Sequence, residues 1–325
     1  MCRRPSPPAV AAPLLPFTGR ATVRPVNADP PPSRPPSGAV PWHTHDVVLH
    51  PDRVVKRFRR SEGRDPFVRE RRALVLLARH APDLAPVLLD VRDPTGAAAP
   101  PTLVTSRLPG DCLRGKPLGP RQLTAWARAV QAVHSALPPA ELARLPLRRG
   151  HQRDAVARVR AWCATPPDRP LAPAVRRALR AGTNWLDRVW PDAPDADRPL
   201  PAEVPADVPA VFGAGDGNAA NYLWDGRRVR VVDFEESGRS DRAYELAEIV
   251  EHVAAWLPRP FDTAAFLDRF ALTPAESARL RECRTLHALV WLCLLAADDP
   301  ARPRNPPGTA ERQARRLWRR LDDAP

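Results

Sequence analysis

Lysine is almost absent from this chain: Lys56 and Lys116 are the only two lysines among its 50 basic residues. The formal net charge of +13 would by itself favour a nucleic-acid partner. Arginine, alanine and proline are abundant, however, as in proteins of GC-rich genomes, and the basic residues are not interleaved with aromatic ones as in a groove that binds single strands. We therefore expect a solvated, arginine-rich surface and no nucleic-acid partner.

Long apolar runs and paired cysteines are also missing. The longest apolar run, Ala288 to Ala297, has ten residues, which is too short to cross a bilayer and is typical of a buried helix. The five cysteines are scattered without CxxC pairs, so they indicate neither a zinc site nor a disulfide framework. We expect a cytoplasmic protein with no membrane partner. Residues 1–41 contain prolines that would break a signal-peptide helix, and we expect a disordered, Pro-rich extension there.

Negative charge is concentrated in one region. Residues 201–260 contain eleven acidic residues and six arginines, which gives a net charge of −5 in an otherwise basic chain. Such a region suits metal ions, a cationic substrate or both, although a helix face rich in glutamate would give the same count. Four glutamates are the residues that we would assign to an acidic surround for an amine-bearing substrate: Glu235, Glu236, Glu245 and Glu248.

A small β-rich lobe is predicted over residues 42–108. Strands are expected at Asp46–Leu49 and Arg53–Phe58 around a His50–Asp52 turn, with a second pair at Val87–Val91 and Thr102–Arg107. Lys56 shares the apolar face of its strand, where a lysine either extends its ammonium to solvent or contacts a carboxylate.

The helix between these strand pairs offers such a carboxylate. Asp65-Pro66 is a helix start, and the apolar period continues from Phe67 to His80, with Glu70 on the apolar stripe. Because a buried carboxylate is costly without a partner, we expect Glu70 to pair with Lys56 or, alternatively, with the neighbouring Arg71.

The chain turns helical after Leu108-Pro109-Gly110, and residues 109–325 are predicted to form a larger, mostly helical lobe. Apolar residues recur at helical spacing from Leu123 to Leu137, where His134 is expected to be a core histidine. Further helices are expected within 151–190 and at about 243–257, 275–297 and 309–322.

Three oxygen-bearing side chains bracket a predicted hairpin in the acidic region: Asp216, Asn221 and Asp233. Asp216 lies between Gly215 and Gly217, and Asp225-Gly226 is a strong turn signal between strands at 221–224 and 228–234. A carboxylate that orients a hydroxyl and hard oxygen ligands for Mg²⁺ are what phosphoryl transfer requires. A hairpin loop of odd length would put Asn221 and Asp233 on one face, whereas an even loop would separate them and remove the metal site.

Asp216-x₄-Asn221 with Val232-Asp233-Phe234-Glu235 resembles the catalytic and metal-binding segments of the aminoglycoside phosphotransferase / choline kinase family, and residues 238–247 are similar to the segment that follows. The resemblance is most specific over 211–250 and extends over about 45–320. It implies a protein-kinase-like bilobal α+β fold. It also implies that Asp216 orients or accepts the proton of a substrate hydroxyl, that Asn221 and Asp233 bind Mg²⁺, and that Lys56, positioned by Glu70, binds the phosphates of ATP.

The same resemblance implies that adenine binds the backbone around Thr105–Leu108, which includes Thr105 and Arg107, and that Asp241 braces the catalytic loop. Two features differ from the family pattern: Ala214 replaces the usual histidine, and His50-Pro51-Asp52 replaces a glycine-rich phosphate loop. The function expected is an ATP- and Mg²⁺-dependent kinase that phosphorylates a hydroxyl of a small molecule, namely an aminoglycoside-like compound, an amino alcohol or a sugar. The alternative is a catalytically weak kinase-fold protein that binds nucleotide as a sensor or scaffold.

Overall fold

The computed structural model describes residues 45–59, 65–93, 99–165, 169–191, 207–299, 301 and 303–323. The predicted extension 1–41 and most of the proline-rich segment around residue 200 lie outside them. Among the described residues of the N-terminal lobe lie one helix and four strands: β1 (Asp46–Leu49), β2 (Arg53–Arg57), α1 (Pro66–His80), β3 (Leu88–Arg92) and β4 (Thr102–Ser106). The strands form an antiparallel sheet in the order β1-β2-β4-β3. The predicted β-rich lobe is thereby confirmed.

Helix α1 carries its buried face against this sheet. The Asp65 side chain accepts the Val68 amide at 2.9 Å and caps the helix, and Pro66 occupies the first turn. Phe67, Leu74 and Leu77 are buried, as is Glu70, whereas Arg71 is exposed. Glu70 therefore faces the sheet, where Lys56 lies at the centre of β2 opposite Leu103 of β4.

The C-terminal lobe is mostly helical, as predicted. Its helices are α2 (Pro120–His134), α3 (Pro139–Leu142), α4 (Gln152–Ala164), α5 (Pro173–Val189), α6 (Arg242–Glu251), α7 (Thr263–Leu267), α8 (Pro274–Ala296) and α9 (Thr309–Asp322). Two small antiparallel sheets lie among them: β5 (Asp111–Cys112) with β7 (Tyr222–Trp224) and β8 (Val229–Val231), and β6 (Ala210–Gly213) with β9 (Gly238–Asp241). Buried residues of both lobes, from Phe58 to Leu317, belong to one continuous hydrophobic cluster.

Two predicted elements are shorter than expected. Helix α6 ends at Glu251 instead of near Leu257, because His252 leaves the helical conformation and starts a 3₁₀ turn at Val253–Ala255. The hairpin strands contain only Tyr222–Trp224 and Val229–Val231, since Asn221 belongs to a 3₁₀ turn and Asp233 has a positive φ of 67°.

The apolar run at Ala288–Ala297 ends α8, a 23-residue helix that has Ala297 as its C-cap and whose Leu286, Leu289 and Leu292 are fully buried. A capping box of Thr273 and Glu276 fixes its start. In the described part of the chain no helix combines the length and apolar character that a membrane span requires.

Candidate active site

The Lys56 ammonium is surrounded by three carboxylates. Its Nζ lies 2.7 Å from Glu70 Oε2, 2.8 Å from Asp233 Oδ1 and 2.7 Å from Glu235 Oε2. The expected Lys56–Glu70 pair is thus present, and Arg71 is not involved. Burial opposes the charge on Lys56, but the three anions outweigh it and raise the pKa of the ammonium well above its usual value.

Glu235 extends this network to His45. Its Oε2 lies 3.0 Å from His45 Nε2, while His45 Nδ1 accepts the Arg59 amide at 3.1 Å. Burial raises the pKa of Glu235, but the hydrogen bond from His45 and the charge of Lys56 outweigh this effect and bring it to about 2. Glu235 is therefore an ionised partner of the lysine, a contact that the sequence did not indicate.

The carboxylates around Lys56 are close enough to share a cation. One oxygen atom from each of Glu70, Asp233 and Glu235 lies within 4.8 Å of the others, and the Lys56 ammonium contacts all three residues. Asp233 is the most accessible of the three, with 35% of its side chain exposed. Hard oxygen donors of this kind suit Mg²⁺.

Asp216 is held by the turn that follows it. Its Oδ1 accepts the Asn218 amide at 2.9 Å, and its Oδ2 accepts the Asn221 Nδ2 at 2.9 Å. Burial and the nearby charge of Asp233 raise the pKa of the Asp216 carboxyl to about 6. Asn221 is therefore bonded to Asp216, and Asp233 lies close enough for its charge to affect the Asp216 carboxyl.

The two glycines that flank Asp216 are required by close packing. Gly215 has a φ of +89°, and a Cβ there would overlap the Glu236 backbone. A Cβ on Gly217 would lie 2.6 Å from Glu248 C and Ile249 N in α6. The loop is thus pressed between the segment after Asp233 and the C-terminal half of α6.

The criterion of hairpin loop length does not apply to the observed backbone. Trp224 pairs with Val229, so the loop is the four residues 225–228, an even length that should have separated Asn221 from Asp233. The criterion assumes extended strands on both sides, but β8 ends at Val231 and the left-handed backbone of Asp233 redirects its side chain. That turn brings Asp233 to Lys56 and close to Asp216.

Arg148 is a buried cation that is linked to the Asp216 loop through Glu245, whose Oε2 accepts the Gly215 amide at 3.4 Å. Arg148 Nη1 lies 3.0 Å from Glu245 Oε1, and its guanidinium also binds both oxygens of Glu248. Burial raises the pKa of Glu248 to about 7, although the Arg148 charge opposes this effect. Arg148 was missed, because no local pattern distinguishes it from other arginines of the chain.

Each of the four glutamates assigned to an acidic surround contacts a basic residue. Glu235 contacts Lys56, Glu236 contacts Arg149 at 3.3 Å, and Glu245 and Glu248 contact Arg148. These residues therefore do not form a free anionic pocket for an amine. Glu248 is also not a solvated residue of a helix face, since only 17% of its side chain is exposed.

Thr105 and Arg107 lie at the end of β4 and just after it. The Ser106 amide donates to Val87 O at 2.8 Å, and the Arg107 amide donates to Asp52 O at 3.0 Å, so both amides hold the lobe together. Within the described residues, the Leu108 amide has no hydrogen-bond acceptor. Leu108 is thus the part of the predicted Thr105–Leu108 segment with a backbone donor available.

Asp241 contacts different residues from those predicted. It is fully buried, caps α6 by accepting the Tyr244 amide at 2.8 Å, and binds Arg279 of α8 at 2.6 Å. It thus connects α6 to α8 instead of bracing the Asp216 loop directly. His134 is buried as predicted, and burial lowers its pKa to about 4.

Comparison with known proteins shows the family of this chain. Residues 42–283 match the model of the phosphotransferase enzyme family, and the chain therefore belongs to that family. No curated protein sequence matches the chain significantly.

Several solved structures share the fold. A choline/ethanolamine kinase family protein from Mesorhizobium loti has a TM-score of 0.56 and 17% identity, over 88% of this chain and 89% of the other. The GDP and kanamycin complex of APH(2")-IIIa has a TM-score of 0.57 and 14% identity, over 86% and 90%. A thermostable mutant of the aminoglycoside phosphotransferase APH(4)-Ia has a TM-score of 0.52 and 18% identity, over 86% and 94%. The fold is thus the protein-kinase-like bilobal fold expected from the sequence.

Proposed function

We propose that this protein is an ATP- and Mg²⁺-dependent kinase that phosphorylates a hydroxyl group of a small molecule. The observation that carries the proposal is the convergence of Lys56, Glu70, Asp233 and Asp216, which come from β2, α1 and two separate loops. Family membership supports the same reaction class.

Asp216 is the residue that we assign to the acceptor. Its carboxylate would orient the substrate hydroxyl and take its proton while the hydroxyl oxygen forms a bond to the γ-phosphorus. The bond between the γ-phosphorus and the β,γ-bridging oxygen would break, and ADP would leave. A carboxyl pKa of about 6 leaves Asp216 ionised at neutral pH, as this role requires.

Lys56 is assigned to the phosphates of ATP, and Glu70 holds its ammonium in place at 2.7 Å. Adenine would bind the backbone of the Thr105–Leu108 segment, with the Leu108 amide as a donor beside Thr105 and Arg107. The similar structure of APH(2")-IIIa is a complex with GDP, so GTP belongs in the test as a second phosphate donor.

Asn221 and Asp233 are assigned to Mg²⁺. The Asn221 side chain donates a hydrogen bond from Nδ2 to Asp216, so its Oδ1 atom can bind a metal ion. The Asp233 side chain is partly accessible. When bound, the ion would offset the negative charge of the phosphates.

The acceptor is a small hydroxylated molecule, and similar proteins named as choline kinase-like or bound to kanamycin motivate amino alcohols and aminoglycosides as first trials. The test is consumption of ATP or GTP with a panel of aminoglycosides, amino alcohols, sugars and macrolides. We expect Asp216→Asn to lower kcat by about 10²–10⁴-fold without loss of folding. Equal rates for both proteins would refute the mechanism.

The second candidate function is a catalytically weak protein that binds nucleotide as a sensor or scaffold. Ala214, where the family usually has a histidine, is the observation that favours it. Nucleotide binding by calorimetry without turnover across the panel would support this candidate over the kinase.

A further inference from the structure

A buried histidine faces Asp216 from the end of α6. His252 is 8% exposed, its amide donates to Glu248 O at 2.9 Å, and its Nε2 lies 3.8 Å from Asp216 Oδ1. Neither the sequence pattern nor the proposed roles use this residue.

The ring has a defined protonation state. His252 Nδ1 accepts the Ala254 amide at 2.9 Å, so this nitrogen carries no proton. Burial lowers the pKa of the imidazole to about 3, so the ring is neutral at physiological pH and its one proton is on Nε2. The nitrogen that faces Asp216 is therefore a hydrogen-bond donor.

The positions of the ring and the loop are fixed relative to each other. The His252 ring packs edge-on against Trp291 of α8, with centroids 4.5 Å apart and an interplanar angle of 74°. The Asp216 loop packs directly against α6 at Gly217, where there is no space for a Cβ. The 3₁₀ turns Ala219–Asn221 and Val253–Ala255 also contact each other.

Asp216 has room for a third donor. Asn218 and Asn221 each donate one hydrogen bond to its carboxylate, and a carboxylate accepts about four. A separation of 3.8 Å is too long for a hydrogen bond, but catalytic contacts are often long before the substrate binds.

We propose that His252 is a positioning residue that donates its Nε2–H to Asp216 Oδ1 and fixes the orientation of the carboxylate toward the acceptor hydroxyl. This inference rests on the proposed function, in which Asp216 orients the acceptor. His252 itself contacts neither the acceptor nor the phosphates.

Two substitutions separate positioning from a purely structural role. In His252→Asn the amide oxygen replaces Nδ1 and keeps the cap on Ala254, but no donor extends to Asp216. In His252→Gln a side-chain NH₂ reaches the place of Nε2, whereas the cap is lost. His252→Asn should keep the wild-type Tm but lose the contact with Asp216. His252→Gln should keep that contact but have a lower Tm.

We expect His252→Asn to lower kcat by about tenfold to a hundredfold with KM and Tm nearly unchanged, since small misplacements of a catalytic group have effects of this size. His252→Gln should retain kcat within about threefold of wild type, by the same reasoning, and have a lower Tm. Wild-type kcat in His252→Asn, or kcat losses in both variants that follow Tm, would overturn the proposal.

An NMR measurement decides the same question without turnover. The ¹H–¹⁵N spectrum of the imidazoles should show a protonated Nε2 on His252 whose shift changes in Asp216→Asn, while the shifts of the buried His134 remain constant. A proton on Nδ1, or an unchanged His252 signal, would overturn the proposal. If no acceptor is phosphorylated by the wild type, the proposed function fails, but this spectrum still tests the His252–Asp216 contact.

Discussion

Lys56 and Arg148 are cations with little solvent exposure that contact more than one carboxylate, yet they differ in access. The Lys56 side chain is 13% exposed and its partner Asp233 is 35% exposed, so another anion can approach the ammonium. Arg148 is 2% exposed, and its two partners Glu245 and Glu248 lie in α6. We infer that the same pairing of charges leaves the Lys56 ammonium open to another ligand, whereas around Arg148 it forms a closed support of the Asp216 loop, whose Gly215 amide donates to Glu245 Oε2 at 3.4 Å.

The chemistry of the two cations reinforces this difference. The guanidinium of Arg148 binds both oxygens of Glu248 as well as Glu245, and its Nε donates to Arg149 O at 2.8 Å. Such a planar, multiply bonded group is difficult to displace. The compact ammonium of Lys56 has three donors that can exchange one oxygen ligand for another.

The largest expected effect is that of Arg148→Met on stability. Removing the guanidinium leaves Glu245 and Glu248 buried without a cation, which typically costs about 3–5 kcal/mol in the free energy of unfolding. Urea denaturation measures this quantity. Arg92→Met is the control, because the ion pair of Arg92 with Asp90 is exposed and should contribute less than about 1 kcal/mol to the free energy of unfolding. Equal losses in both variants would show that Arg148 is not the closed support inferred above.

The next effect concerns nucleotide affinity. Lys56→Met removes the cation assigned to the phosphates, and we expect nucleotide Kd to rise by about tenfold to a hundredfold, or about 1.4–2.7 kcal/mol. The matched control is Lys116→Met, the same change at the only other lysine, which is 53% exposed and 3.4 Å from Asp111. Calorimetric titration of ADP and ATP measures both. A Kd that changes equally in the two variants would contradict the assignment.

The charge cluster around Lys56 could be predicted in part from the sequence, whereas the cluster around Arg148 could not. The strand period placed Lys56 on an apolar face, and the helix period placed Glu70 on a buried stripe, so each needed the other. Both signals are local, and Lys56 and Glu70 are only 14 positions apart in the sequence. The amphipathic pattern of α2 was predictable for the same reason.

The remaining parts of the site depend on tertiary structure. Arg148 meets Glu248 across 100 residues, and in an arginine-rich chain no pattern marks it out. The hairpin rule was inapplicable because the backbone of Asp233 adopts a positive φ that alternation does not predict. His252 faces the Asp216 loop because α6 ends at Glu251, the residue before His252. Neither the spacing of apolar residues nor the composition indicates this helix end.

The smallest expected effect tests whether the ligands of Lys56 are exchangeable. Glu235 Oε2 lies 2.7 Å from the ammonium, so a phosphate oxygen that binds Lys56 competes with this carboxylate. In Glu235→Gln the competitor is neutral while the size of the side chain is kept. Without divalent metal we expect ADP to bind about twofold to fivefold more tightly, since a neutral partner holds the ammonium less strongly than an ion.

Glu236→Gln is the control for this measurement, because Glu236 contacts Arg149 instead of Lys56. Calorimetry in EDTA isolates the competition at the ammonium from any binding of Mg²⁺ by carboxylates, and repetition with Mg²⁺ shows whether Glu235 also supports the metal. If Glu235 served only to hold Lys56 for the phosphates, its neutralisation would weaken metal-free ADP binding. Tighter ADP binding is expected instead if a phosphate can replace a carboxylate at the accessible Lys56 ammonium. The enclosed guanidinium of Arg148 does not allow such a replacement.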